Sequence, residues 1–524
     1  MSTVQPYDQL SGRQRALTMG VVMLAMFLAT LSQMSLATAM PVIVADLGGF
    51  DRYTWAATSY LVAATVAIPI AGRLADIHGR RIFFVLGLSI FIAASVPAGL
   101  SQTMTQLIWF RALQGIGGGI IMSNSAVAVA DLYAPEERGK YVGLLGLVYA
   151  VAAVAGPVLA GVITDSVSWS WIFLVNVPLG IPVLLLLVRF FPRIAPAAEN
   201  RGLDYPGIVT LTLAVVSVMS ALSLAGERYA WASPQVAGLL AFGLAMSAAF
   251  VAVESRSACP IMPLEIYRIR MVAASVAVTF LTCFGLYGTI LFTPLFFQGV
   301  QGTSATGSGV FLTPIMLGMV VGAVVSGQLL SRTGARYRLQ AVVNTGLMTA
   351  GLYLLSTMNQ ETGYLQAIGY IVIMGLGMGG TLTTLGVAVQ NSVPFALVGI
   401  ATSTLHFFRL VSGAAGLAVL GGVLTTRFSA RVDQAVPGSV GDVLSAGELD
   451  AIKDNPRVLL DPSATEGLRS AFAEAGADGA RLADTFLSAL SAALGGAMED
   501  VFTLTAAVVG LAVVAALFMR ANSR

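Results

Sequence analysis

The ten residues from Gly72 to Arg81, GRLADIHGRR, place Arg73, Asp76, His78, Arg80 and Arg81 between two almost purely apolar stretches. Charge grouped in this way can pair acid with base, or set an acid against the partial positive charge of a helix N-terminus. Three further groups stand inside apolar runs: Arg111, His406 and Arg409. A charge embedded at membrane depth is costly, and by default it is a functional candidate. Arg111 is near the end of its run, so snorkelling to the interface is an alternative. His406 and Arg409 are three residues apart and share a helical face; of the two, only the His titrates near physiological pH. Within the apolar runs there is no GxxxxGK[ST] nucleotide loop, metal-ligand cluster, paired carboxylate or nucleophile–base pair. The expectation is therefore a protein that is neither an enzyme nor an ATP-driven pump, with no cofactor, metal or nucleic-acid partner.

The elements that must position these residues follow from composition. The chain has 524 residues, 56% of them hydrophobic and only 10% charged. Soluble domains carry about 25% charged residues. Fourteen apolar spans can be delimited, at 17–40, 53–72, 82–100, 106–130, 141–163, 170–190, 205–224, 235–253, 271–296, 309–330, 339–357, 363–388, 398–424 and 496–519. Each is long enough to cross the roughly 30 Å hydrocarbon layer as a helix, and unalternated runs exclude a β-barrel. The fold class expected is an all-α polytopic membrane protein.

Charge orients it. With the N-terminus inside, the cytoplasmic segments hold eighteen Lys or Arg residues, against two (Arg52 and Arg228) in the short outer loops. This positive-inside bias predicts both termini in the cytoplasm and location in the cytoplasmic membrane. The long segment 425–495, with ten acidic and six basic residues, falls outside and reads as a small soluble cap. Cys259 and Cys283 suggest neither a disulfide nor a metal site.

The chain also repeats. GQLLSRTGARYR (Gly327 to Arg338) follows span 10 as GRLADIHGRR follows span 2. This predicts two six-helix halves, 17–190 and 271–524, separated by an extra pair within 191–270, after a tail at 1–16. Such repeats typify transporters with a substrate site at their interface.

WFRALQGIGGG (Trp109 to Gly119), AGPVLAG (Ala155 to Gly161), SWSWIFLVNVPLG (Ser168 to Gly180), VQGTSATGSG (Val300 to Gly309) and VQNSVPFALVGIATS (Val389 to Ser403) complete the pattern. Together with GRLADIHGRR, and in this order, they resemble the fourteen-helix drug:proton antiporter branch of the major facilitator superfamily. The resemblance implies a monomeric exporter of amphipathic, drug-like molecules in membrane lipid, driven by protons through alternating access. It implies that Gly72, Arg73, Asp76, Gly79, Arg80 and Arg81 form a cytoplasmic gate, the arginines at least holding the connector in the cytosol. It implies a helix-5 antiporter motif at Gly143, Gly156, Pro157 and Gly161, with Ala152 and Ala160 in place of two usual glycines. Substrate or proton coupling would fall to Arg111 and Arg409. One family feature is missing: the helix-1 acid is replaced by Ser32, which carries no proton. Coupling would then move to Glu499, Asp500 or His406, or be absent. The rival reading is an uncoupled facilitator or exporter of anionic lipid-like or siderophore-like molecules, suited by two intramembrane arginines without an acidic partner.

Overall fold

A computed structural model describes residues 10–48, 52–193, 202–226, 229–302, 312–332, 336–359, 361–435, 440, 443–453, 458–460, 462–474 and 479–519. Arg201, Arg228, Arg520 and Arg524, and residues 303–309 of the VQGTSATGSG motif, lie outside them.

Fourteen helices among the described residues are long and apolar enough to cross a membrane. We number them in chain order as α1 (Gly12–Leu47), α2 (Tyr53–His78), α3 (Arg80–Gly99), α4 (Met104–Leu132), α5 (Arg138–Ser166), α6 (Trp171–Phe190), α7 (Tyr205–Leu224), α8 (Pro234–Glu254), α9 (Arg270–Gly299), α10 (Leu312–Arg332), α11 (Tyr337–Ser356), α12 (Tyr364–Gln390), α13 (Val398–Ala435) and α14 (Gly479–Leu517). Their starts are set by local chemistry. Ser11, Thr103, Asp204 and Ser233 each accept a hydrogen bond from an otherwise orphaned N–H in the first turn of α1, α4, α7 and α8.

The packing repeats at an offset of eight helices. Helix α4 binds α2 and α3, as α12 binds α10 and α11; α1 lies on α5, as α9 lies on α13. The halves then exchange one helix pair each way, α5 against α10 and α13 against α2. The extra pair α7–α8 packs on itself, and α7 rests on both α2 and α13. This is the architecture expected: two six-helix halves with two additional helices.

Glycine makes the close packing possible. A Cβ on Gly117 would fall 2.7 Å from the Phe91 nitrogen of α3, and one on Gly115 would fall 2.8 Å from the Tyr60 Cα of α2. In α12, Gly375 and Gly377 stand as close to the backbones of α10 and α11. The GIGGG run is therefore a packing surface, repeated in the second half.

The segment 425–495 departs from expectation at its two ends. Helix α13 runs on to Ala435 and α14 begins at Gly479, so the two ends of the expected cap are continuations of spans. Short helices Ala446–Lys453 and Pro462–Glu474 lie between them. Val440, Leu444, Ile452, Phe472 and Phe486 are buried continuously with the core of the second half. The amphipathic pattern simply carries the helices past the bilayer's thickness.

Candidate functional site

One end of the bundle, where odd-numbered helices begin and even-numbered ones end, carries most of the described arginines; we refer to it as the arginine-rich face. Gly79 connects α2 to α3 at φ 94°, a left-handed backbone that favours glycine. The turn places Arg80 in the first turn of α3, one helical turn from Asp76. Arg80 is 4% exposed and Asp76 1%. Arg80 Nη1 lies 3.0 Å from Asp76 Oδ1, and its Nε pairs with Asp131 at the end of α4. Arg80 is thus the shared cation of two buried carboxylates. The expectation that it merely holds the connector in solvent is corrected: its head group has left water for a triad. Arg81, by contrast, donates to the Val188 carbonyl of α6, and both Arg81 and Arg73 are half-buried.

Asp76 also faces the other half. Its Oδ2 would lie 2.6 Å from a Cβ on Gly399, in the first turn of α13. One turn back along α2, a Cβ on Gly72 would fall 2.6 Å from Ser403 Oγ. These glycines are needed because two helices from different halves touch there. The counterpart seam is built similarly: a Cβ on Gly139 would fall 2.6 Å from the Gly327 carbonyl, and one on Gly143 2.9 Å from that of Ala323. The counterpart of Asp76 in the second connector is Ser331, which is exposed and donates to Gln328 O of its own helix at 2.8 Å. Side-chain hydrogen bonds also join the halves at this face. Arg138 Nη1 donates to Asn391 Oδ1 at 2.7 Å, and Gln390 Nε2 to the Ala126 carbonyl at 3.0 Å. Gln390 and Asn391 belong to the VQN motif, and nothing local in that motif marks it as a seam.

Inside the first half, Arg111 is 1% exposed and does not snorkel. Its Nη1 donates to Gln114 Oε1 at 2.6 Å, its Nε to the Ala56 carbonyl at 3.4 Å, and its Cζ sits 4.4 Å from the Tyr60 ring centroid. Gln114 Nε2 passes the network to Ser95 Oγ at 2.8 Å. Asn176, from the SWSWIFLVNVPLG motif, donates to Ser32 Oγ at 3.4 Å and to Ser95 Oγ at 3.5 Å. Ser32 therefore stands, 4% exposed, at the end of a neutral relay leading to Arg111.

In the antiporter motif, Gly156 meets α1: a Cβ would fall 2.9 Å from Met34 Cβ, and Ser35 Oγ donates to the Gly156 carbonyl at 3.2 Å. Pro157 removes an N–H within α5, which weakens the hydrogen-bond ladder there. Gly161 has only a loose contact, with Thr38 at 3.8 Å.

Arg409 and His406 occupy a second cluster, at the interface of the halves. Arg409 is eleven residues into α13 and Tyr149 eleven into α5, which at 1.5 Å per residue is ~16 Å from the arginine-rich end of each helix. The hydroxyls of Tyr149 and Tyr287 (α9) interact, and the Arg409 guanidinium lies within electrostatic reach of both, of Cys283 and of His406. Arg409, His406, Tyr149 and Tyr287 are all half-buried.

Neither acid proposed from sequence for coupling joins this cluster. Asp500 pairs with Arg431 at 3.0 Å and Arg427 at 3.8 Å, near the opposite face. Glu499 is exposed. Asp500 borders instead a peripheral recess of about 770 Å³, lined by Trp231, Gly422, Arg427 and Leu504.

A profile of the Major Facilitator Superfamily matches residues 22–417. The chain is 38% identical over 472 residues to the Multidrug transporter protein MdtP of Bacillus subtilis (strain 168), covering 88% of this chain and 86% of that one. It is 34% identical over 498 residues to Multidrug resistance protein 3 of the same organism, covering 95% and 94%. Among solved structures it resembles the human organic anion transporter MFSD10 at a TM-score of 0.60 and 14% identity, covering 94% of this chain and 99% of that one, a likeness of fold alone. With fourteen apolar helices, an eight-helix packing repeat and a family match over most of its length, the chain belongs to the Major Facilitator Superfamily.

Proposed function

We propose that this chain exports amphipathic, drug-like small molecules by alternating access. The observation that carries the reading is the closure of the arginine-rich face, with Asp76 seated against the first turn of α13 and α5 sealed on α10. A carboxylate at a helix N-terminus is favourable by about 0.3–1 kcal/mol and up to ~2 kcal/mol where partly buried. That strength suits a contact that must break and re-form in each cycle. The names of the relatives, two of them multidrug proteins, support the substrate class.

Within this reading the arginine-rich face is cytoplasmic and both termini lie inside, as the eighteen-to-two bias argues. Gly72, Arg73, Asp76, Gly79, Arg80 and Arg81 form the cytoplasmic gate, completed by Asp131. The working units are residues 17–190, 191–270 and 271–524, and the carrier acts as a monomer in membrane lipid. Transport is coupled to protons. Since Glu499 is exposed and Asp500 is held by arginines, His406 is the coupling candidate that shares the central cluster.

The test is export of a cationic rhodamine ester from cells or into everted vesicles, with and without a proton gradient. Export that stops when the gradient collapses supports the antiporter. Export that continues unchanged overturns proton coupling, and no export of any amphipathic dye overturns the exporter.

A further inference from the structure

Of the two intramembrane arginines, only one is free to meet a ligand. Arg111 is enclosed by Gln114, Tyr60 and the Ala56 carbonyl and has 1% exposure, so it serves the interior of its own half. Arg409 differs on each count. It is half-buried at the interface of the halves, its Nε has no hydrogen-bond partner, and none of the ion pairs among the described residues includes it. A guanidinium ~16 Å from the helix start stands near the middle of a hydrocarbon layer about 30 Å thick. A cation left there without an anion is expensive.

The surrounding groups favour an anion further. The buried carboxylates Asp76, Asp131, Asp204 and Glu254 all stand at or near helix ends on the arginine-rich face. At Arg409, instead, the Tyr287 ring packs on Gly413, one turn further along α13, and Tyr149, Cys283 and His406 lie within electrostatic reach of the guanidinium. The two phenols are hydroxyl donors that can turn toward an acceptor, and the guanidinium offers a planar fork that fits a carboxylate, sulfonate or phosphate. Tyr149 comes from the first half, whereas Tyr287 and Arg409 come from the second. A ligand bridging them would bind both bodies that must move.

We infer that the midplane cluster of Arg409, Tyr149 and Tyr287 binds the anionic group of an amphipathic substrate, so that anionic amphiphiles are the substrates favoured by this carrier. The inference rests on the exporter reading for its use of the word substrate, but the site itself can be tested by binding alone.

The experiment uses the full chain in phosphatidylcholine nanodiscs. It compares equilibrium binding of two xanthene dyes of opposite charge: fluorescein and a cationic rhodamine ester. Wild type is expected to bind fluorescein saturably and more tightly than the rhodamine. Arg409→Gln should weaken fluorescein about tenfold to a hundredfold, the range of a hydrogen bond to a charged group. The same change should tighten the rhodamine, because a like charge is gone. Arg409→Lys should retain part of the fluorescein affinity, and Tyr149→Phe with Tyr287→Phe should weaken it without reversing the selectivity. Equal losses for both dyes in Arg409→Gln would reveal a structural role and overturn the inference, as would wild type preferring the rhodamine. Repeating the titration with phosphatidylglycerol in the disc distinguishes the two sources of such an anion. Competition assigns the site to a lipid headgroup, and its absence to a soluble amphiphile. Export of the rhodamine without fluorescein binding overturns this inference and leaves the exporter intact. Fluorescein binding without export of either dye does the reverse.

Discussion

The carboxylate of Asp76 lies so close to Gly399 that a methyl group there would stand 2.6 Å from Oδ2. The two residues are in different halves, so their separation reads out the state of the arginine-rich face directly. Asp76→Asn keeps the shape and removes the charge; it should insert normally and lose roughly tenfold or more of transport, since a 1.4 kcal/mol shift is tenfold. Gly399→Ala should impair closure by contact alone, with the charge intact. Dye export from cells expressing each variant at matched levels checks both, and full activity in Asp76→Asn would return the connector to a topological role.

Arg80 is shared by Asp76 and Asp131, and all three are buried. Removing the cation leaves two carboxylates uncompensated. Arg80→Gln should therefore cost about 3–5 kcal/mol of stability, the scale for breaking a buried ion pair. Arg81→Gln, at a half-buried position with a single backbone hydrogen bond and no buried acid to neutralise, should cost about 1 kcal/mol or less. Thermal unfolding of the purified proteins in one detergent compares them.

Arg111→Lys keeps charge but loses the planar fork that reaches Gln114 and the Ala56 carbonyl while stacking on Tyr60. A loss of about 1–3 kcal/mol in stability is expected, with transport falling alongside. Near-normal behaviour of the lysine variant would mean that the site needs only a positive charge.

Orientation is checked by reporter fusions. Fusions after Arg81, Lys140, Arg270 and Arg338 should report cytoplasm, and one after Lys453, in the Ala446–Lys453 helix, should report the outside. A cytoplasmic signal at Lys453 would contradict the assignment of faces.

Coupling is checked by four substitutions. Asp500→Asn breaks a half-exposed pair worth about 0–1 kcal/mol and should leave proton-driven export running, as should Glu499→Gln. Ser32→Ala removes one weak contact to Asn176 and should also be tolerated. His406→Gln should uncouple export from the proton gradient. Loss of export in Asp500→Asn alone, with His406→Gln unaffected, would move coupling to the far end of α14.

Much of this was legible because apolar length and arginine placement are properties a sequence displays openly. Fourteen spans can be delimited, and fourteen helices among the described residues are long and apolar enough to cross a membrane. What sequence could not supply was pairing across distance. Asp131 is 51 positions from Arg80, and nothing local marks it as a partner rather than as an acid at a helix end. Arg80 looked like a topological anchor for the same reason. The ends of α13 and α14 were misjudged because spans were cut to bilayer thickness, while an amphipathic helix continues wherever it finds something to pack on. One signal was there to be read: Gly375, Gly377 and Gly379 repeat the spacing of Gly115, Gly117 and Gly119, and mark α12 as the counterpart of α4.

The pseudo-twofold arrangement has an asymmetry at the two seams. Asp76 braces α2 against α13, whereas its counterpart Ser331 only bonds to its own helix. The closed form therefore has one carboxylate bolt of this kind, not two. A bolt of ~2 kcal/mol or less biases two conformations by no more than about thirtyfold. A contact of that size is one that a cargo molecule's preference for the other form can offset. A second carboxylate at residue 331 would deepen the well, and a slower carrier would result.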